Sequence, residues 1–121
     1  MSAPIFEVVR AHAPSRALLG GASLRFSLFG VSVQGGALPY AVWQTIGGAP
    51  ENYLGDLPDV DSMELQVDAY ADDPITVRAV GHALRDAIEP HAYITAWIGE
   101  SQDATTKRWR FTFRVDWIVQ R

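Results

Sequence analysis

The stretch Lys107-Arg108-Trp109-Arg110-Phe111-Thr112-Phe113-Arg114-Val115-Asp116-Trp117-Ile118-Val119-Gln120-Arg121 decides the fold. Taken two residues at a time, Trp109, Phe111, Phe113, Val115, Trp117 and Val119 fall on one side. Arg108, Arg110, Thr112, Arg114, Asp116 and Gln120 fall on the other, with Ile118 the one apolar exception. Alternation of this length is the period of a long β-strand with one buried face. At ~1.5–3 kcal/mol for each fully buried large side chain, the inward residues contribute roughly 10 kcal/mol before chain entropy is set against them. The rings therefore read as core, not as a stacking platform.

Working backwards, Ala92–Gly99 is a second strand, and the polar turn Glu100–Thr106 makes the two a hairpin. Before it, Asp73 followed by Pro74 is a helix start, as N-cap and first helical residue. The helix runs to Glu89, buries Val77, Val80, Leu84, Ala87 and Ile88, and shows water Arg78, His82, Arg85 and Asp86. Gly81 lies beside the buried stripe, where it lets the helix sit close to a sheet, and Pro90 closes the helix. Ser62–Tyr70 is a strand with Met63, Leu65, Val67 and Ala69 inward and Glu64, Gln66, Asp68 and Tyr70 outward. Pro39–Gly47 is another; both its faces are largely apolar, which places it inside the sheet. Gly48–Asp61 reads as a long contact or disordered loop. At the N-terminus a short helix is expected over Ser2–Ala13, capped by Ser2 and ended by Pro14. Ser15 then caps a single turn that Gly20 and Gly21 terminate, and a short strand follows within Leu24–Val33. The fold class is α+β: a mostly antiparallel β-sheet with the main helix, about 74–89, packed on one face.

At 121 residues the chain is expected to form one domain, 1–121, with a core that needs no staples. The absence of cysteine removes disulfides and thiolate metal sites and suits a reducing compartment. No apolar run approaches the ~20 residues of a membrane span, and no signal-peptide pattern opens the chain.

The net charge of −4 hides a strong segregation. No Lys or Arg occurs between Arg25 and Arg78, an interval holding Glu51, Asp56, Asp59, Asp61, Glu64, Asp68, Asp72 and Asp73. From Thr105 onward, Lys107, Arg108, Arg110, Arg114 and Arg121 face Asp116 alone. These charges pair either across neighbouring strands of one sheet or between molecules, acidic flank to basic flank, building a ring or filament.

Catalytic constellations are not found in the sequence. It has no Gly-x-Ser-x-Gly elbow and no nucleophilic cysteine, and its single lysine, Lys107, completes no phosphate-binding loop. His12, His82 and His91 lack metal-ligand spacing. The acids at 56, 59 and 61 lack the glycine and closing glutamate of a calcium loop. Arg108, Arg110, Arg114 and Trp97 would suit single-stranded nucleic acid if they shared a surface. Against this, the pI is near 5.2 and Glu64 and Asp68 are placed to neutralise the arginines.

The run Leu38-Pro39-Tyr40-Ala41-Val42-Trp43-Gln44, with Gly47, Gly48 and then Pro50-Glu51-Asn52, precedes Leu65-Gln66-Val67-Asp68-Ala69-Tyr70-Ala71 and a helix of alanines, valines and leucines. With Leu18-Leu19-Gly20 upstream, this succession resembles the small tail-completion, or tail-terminator, proteins of long-tailed bacteriophages. The resemblance implies a structural role without catalytic residues or cofactors. It implies a ring, typically hexameric, on the head-proximal end of the tail tube, which stops tube polymerisation and presents the head-joining surface. Its partners would be copies of itself, the tail tube protein and a head-completion or neck protein. No sequence-specific nucleic acid is expected, although DNA passes through such a ring. The location implied is the virion tail, assembled in the host cytoplasm. The candidate subunit interface is Glu51, Asp56, Asp59 and Asp61 of one copy against Arg108, Arg110 and Arg114 of the next. Alternatives are a neck protein on the portal side and a small-ligand-binding α+β domain.

Overall fold

The computed structural model describes residues 3–21, 23–30, 37–51, 55, 57 and 60–120. Three helices and five strands follow one another as α1 (Ile5–Arg10), α2 (Ala13–Leu19), β1 (Phe26–Leu28), β2 (Tyr40–Pro50), β3 (Val60–Ala71), α3 (Pro74–Ile88), β4 (Tyr93–Gln102) and β5 (Trp109–Gln120). They form one sheet of order β1-β2-β3-β5-β4. β1 pairs parallel to β2 and every other pair is antiparallel, so the α+β reading with a mostly antiparallel sheet holds.

The helices cover one face. Phe113, Val115, Trp117 and Val119 of β5 are buried there with Leu65, Val67 and Ala69 of β3 and Val77, Val80, Leu84 and Ile88 of α3. This is the aromatic face read from the alternation, and it is core. α3 begins as its sequence dictates: Asp73 Oδ1 accepts the Thr76 backbone N–H at 2.7 Å, and its other oxygen accepts the Thr76 hydroxyl at 2.6 Å. Gly81 is where helix and sheet come closest. A Cβ there would lie 2.5 Å from Phe111 Cδ1 and 2.7 Å from its Cε1, distances at which atoms overlap.

Several boundaries depart from expectation. The first helix, α1, stops at Arg10 instead of Ala13, the turn expected after it is a seven-residue helix, α2, and Pro14 stands at the start of α2 rather than ending α1. Proline fits either position, because the first helical turn has no use for its missing N–H. Ser15 is no cap: it is buried inside α2, with its hydroxyl 2.8 Å from His12 Nδ1 and donating to the Ala83 carbonyl of α3 at 3.3 Å. The cap expected of Ser2 lies outside the described residues, and Pro4 occupies the N-cap position of α1. Gly20 does end α2, at φ 106°. β2 runs on through Gly47 and Gly48 to Pro50, after a bulge between Thr45 and Gly47. The long loop thus shrinks to the connection 51–59.

Candidate functional site

The face of the sheet away from the helices carries the charged residues. β3 and β5 pair so that Glu64 opposes Asp116, Gln66 opposes Arg114, Asp68 opposes Thr112 and Tyr70 opposes Arg110. Register therefore denies Glu64 and Asp68 the directly opposed arginine that the sequence reading allowed them. Asp68 is buried, accepting the Thr112 hydroxyl at 2.6 Å and the Gln66 amide at 3.2 Å. Glu64 and Asp116 face each other as like charges, a mildly unfavourable pairing, and Asp116 accepts the Ser62 hydroxyl at 2.7 Å.

At the upper end of this face, Tyr40 and Tyr70 stack with ring centroids 5.0 Å apart. The Arg108 guanidinium lies 5.7 Å over the Tyr40 ring and donates to the Tyr40 hydroxyl at 3.1 Å. Burial, then the nearby Asp68 carboxylate, push the Tyr70 hydroxyl above its ordinary pKa, while Arg110 beside it pulls the other way. Arg110 and Arg114 are exposed. Among the described residues the ion pairs are Arg78–Glu100 at 3.0 Å, Arg85–Asp86 at 3.0 Å and Arg85–Glu89 at 3.8 Å; none involves Arg108, Arg110 or Arg114.

The acidic flank lies at the other end. Glu51 is exposed, its N–H bonded to the Val60 carbonyl at 3.0 Å. Asp61 sits in β3 between Pro50 and Val119, and Asp56 and Asp59 lie outside the described residues. From Val60 to Tyr70 along β3, at ~3.3 Å per residue, is roughly 30 Å. Glu51 and Asp61 are thus separated from Arg108 and Arg110 by the length of the sheet and do not meet them within one chain.

Trp97 is not on this arginine face. β4 carries irregularities between Ile94 and Ala96 and between Trp97 and Gly99. The first of them reverses the in–out alternation, so Trp97 pairs with inward Phe113 and packs its ring on Phe111 and Phe113, with centroids 5.8 and 5.4 Å away. The surface of Trp97 with Arg108, Arg110 and Arg114 weighed above for nucleic acid is therefore not assembled. Instead Trp97, half exposed, helps form a groove between α3 and β4 of about 320 Å³, lined with Phe111, His82, Arg85, Gly99 and Glu100. Nothing in the residue spacing points to this groove, because it depends on the bulges. Nor does any pattern single out Leu57, which is 88% exposed in the acidic connection.

Of the histidines, His12 bonds Ser15, and His82 lies edge-on to Phe111 at 6.0 Å. Among the described residues no group of three or more His, Cys, Asp or Glu side chains could hold a metal ion. Among them, too, no helix is long and apolar enough to cross a membrane.

A helix-backed, mostly antiparallel sheet with Arg108 and Arg110 at one end of its charged face and Glu51 at the other is the α+β architecture of this chain. Residues 3–120 match the family described as Tail completion protein gp17. The chain belongs to that family, which places it among the structural proteins of phage-type tails. Of solved structures, a chain of the "Virion of native gene transfer agent (GTA) particle" superposes with TM-score 0.74, covering 97% of this chain and 92% of that one at 14% identity. At such identity the likeness is one of fold. Comparison with curated proteins finds no match.

Proposed function

We propose that this chain caps the head-proximal end of a phage-type tail tube, ends tube polymerisation and presents the surface that joins the head. In this reading residues 1–121 act as one tail-terminator-like domain, six copies form a ring, and no catalytic step or cofactor is involved. The ring contacts the tail tube protein on one side and a head-completion or neck protein on the other. It leaves a passage for DNA, touches no membrane, and resides in the virion tail after assembly in the host cytoplasm.

The observation that carries the self-assembly reading is the parting of charge over roughly 30 Å of sheet. Glu51 lies the length of the sheet from Arg108 and Arg110 of its own subunit but could meet them head to tail in the next, and a heterologous contact closes into a ring when its rotation allows. Glu51, Asp56, Asp59 and Asp61 of one copy would face Arg108, Arg110 and Arg114 of the next. Membership in the tail completion family supports the location on the tail. The test is charge reversal: Arg110→Glu with Arg114→Glu should lower the mass seen by light scattering to that of a monomer. An unchanged oligomer would sink the contact. Pull-down against tube protein and against portal-side protein separates a tail cap from a neck protein, because a cap binds tube protein without the portal.

A further inference from the structure

On the uncovered face of the sheet, Glu64 and Asp116 stand directly opposite each other. They line a recess of about 390 Å³ together with Gly48, Ala49, Ser62 and Thr95. Asp116 accepts the Ser62 hydroxyl, but none of the ion pairs among the described residues involves either carboxylate. Arg114, the next outward residue on β5, pairs with neither. Glu51, exposed two residues beyond Ala49, adds a third acid at the near end, so acids outnumber cations around the recess. The rim is apolar: Tyr93, opposite Asp116, is 71% exposed, and Ile118, opposite Ser62, is 47% exposed. The β2 side carries no bulk, since Gly47 opposes Glu64 and a Cβ there would lie 3.4 Å from Glu64 Oε2. Paired carboxylates flanked by exposed apolar side chains suit a cation on an apolar stem, which is the chemistry of lysine.

The chain has a single lysine, Lys107. It is exposed at the tip of the β4–β5 hairpin, and no ion pair among the described residues includes it. Its backbone, at φ 62°, is in the left-handed region where glycine is at ease and a side chain is not. The turn holds it there. Asp103 Oδ1 accepts the Thr105 and Thr106 N–H groups at 2.8 Å each, the Asp103 carbonyl accepts the Lys107 N–H at 2.9 Å, and the Gln102 amide donates to the Lys107 carbonyl at 3.2 Å. The ammonium is thus carried on a firm support. From Lys107 to Asp116 along β5, at ~3.3 Å per residue, is roughly 30 Å, so the lysine cannot enter the recess of its own chain.

We propose that Lys107 of one subunit enters the Glu64–Asp116 recess of the next, its stem against Tyr93 and Ile118 and its ammonium between the carboxylates. This rests on the self-assembly reading above and continues its contact, because Glu51 borders the recess and Arg108 follows Lys107 in the chain. A cation there relieves the repulsion between two directly opposed acids. Tip and recess are unlike surfaces far apart on one sheet, so the contact is head-to-tail, the type that propagates from copy to copy and closes.

Charge exchange tests this. Lys107→Glu should weaken self-association, followed by light scattering, about tenfold or more, and so should the double variant Glu64→Lys, Asp116→Lys. Mixed in equal amounts, the two chains should assemble again, because each tip then finds a recess of opposite charge. Lys107→Gly should weaken association as Lys107→Glu does without lowering the melting temperature, since glycine accepts the left-handed backbone. Circular dichroism checks that each variant folds, and the unmodified chain is run alone and with tube protein. If the unmodified chain assembles and either Lys107 variant assembles as tightly, the seat is wrong and the ring stands. The seat is equally wrong if the Lys107 variants are weakened but the mixture of folded chains stays apart, for then the lysine meets other acids. If the unmodified chain stays monomeric in both settings, the ring and the seat fall together.

Discussion

Gly81→Ala should destabilise this protein, against the usual rule for glycine inside a helix. In an ordinary exposed helix interior, alanine gains roughly 0.5–1 kcal/mol over glycine. Here the added methyl would sit 2.5, 2.7 and 2.8 Å from Phe111 Cδ1, Cε1 and Cγ. Phe111 has little freedom to yield, being buried and wedged edge-to-face against His82, Trp97 and Phe113 at 6.0, 5.8 and 6.3 Å. Forcing extra volume into such a site costs about 1–3 kcal/mol; a 2.5 Å approach to a ring that cannot yield belongs in the upper half of that range, so the net change is a loss of about 1–2 kcal/mol. For a chain of 121 residues, unfolding entropy of about 2.1 cal/mol/K per residue converts 1 kcal/mol into about 4 °C. The melting temperature followed by circular dichroism should then fall by about 4–8 °C, with the urea m-value unchanged. Phe111→Leu, which makes room, should absorb much of the penalty, so that the double variant is more stable than the sum of the singles predicts. A Gly81→Ala variant as stable as the parent, or more so, would refute the reasoning, since it would mean that helix and ring part at no cost.

Two further outcomes follow from the polar groups. Thr112→Val keeps the shape of the side chain but leaves buried Asp68 without its 2.6 Å donor; the loss should be about 1–3 kcal/mol, and an unchanged urea midpoint would show that Gln66 alone suffices. The Asp73 carboxyl is held below its ordinary pKa, first by the Thr76 hydroxyl and then by the Thr76 backbone N–H. A depressed folded-state pKa contributes stability above the unfolded value, about 3.9, which is lost as pH falls through the folded value. Asp73→Ala should therefore lower the melting temperature clearly at pH 7 and much less near pH 2; a gap independent of pH would mean that the carboxylate charge plays no part in the cap.

Much of the fold is legible in the sequence because it rests on period and punctuation. β3 and β5 alternate strictly, and α3 is bracketed by Asp73-Pro74 and Pro90. The features that escape a sequence reading either allow two interpretations or depend on pairing. Pro14 suits the end of one helix and the start of the next, so the sequence puts the break between α1 and α2 too late and does not reveal Ser15 as a buried residue. Gly47 and Gly48 have the composition of a turn, yet β2 bulges at that point and continues to Pro50. Charge partners are beyond reach because register is set by the partner strand: a shift of two residues along β5 would have put Arg114 opposite Asp68. Unbroken alternation through β4 would put Trp97 on the arginine face, but the bulge reverses it. The parting of acids from arginines, by contrast, can be read from the sequence, and the sheet adds only the distance between them.

Arg108 differs in kind from the arginines that follow it. Its guanidinium is held over Tyr40 and bonded to the Tyr40 hydroxyl, while Tyr40 is itself stacked on Tyr70. An arginine carries about 2 kcal/mol of rotamer entropy, and this one has already surrendered much of it in folding. A carboxylate arriving there meets a cation whose direction is set beforehand, so the ordering cost of the contact is reduced. Arg110 stands beside the Tyr70 hydroxyl, and Arg114 is exposed farther along the same strand. The upper rim of the sheet thus carries a stationary charge that can fix the angle at which an acidic group approaches.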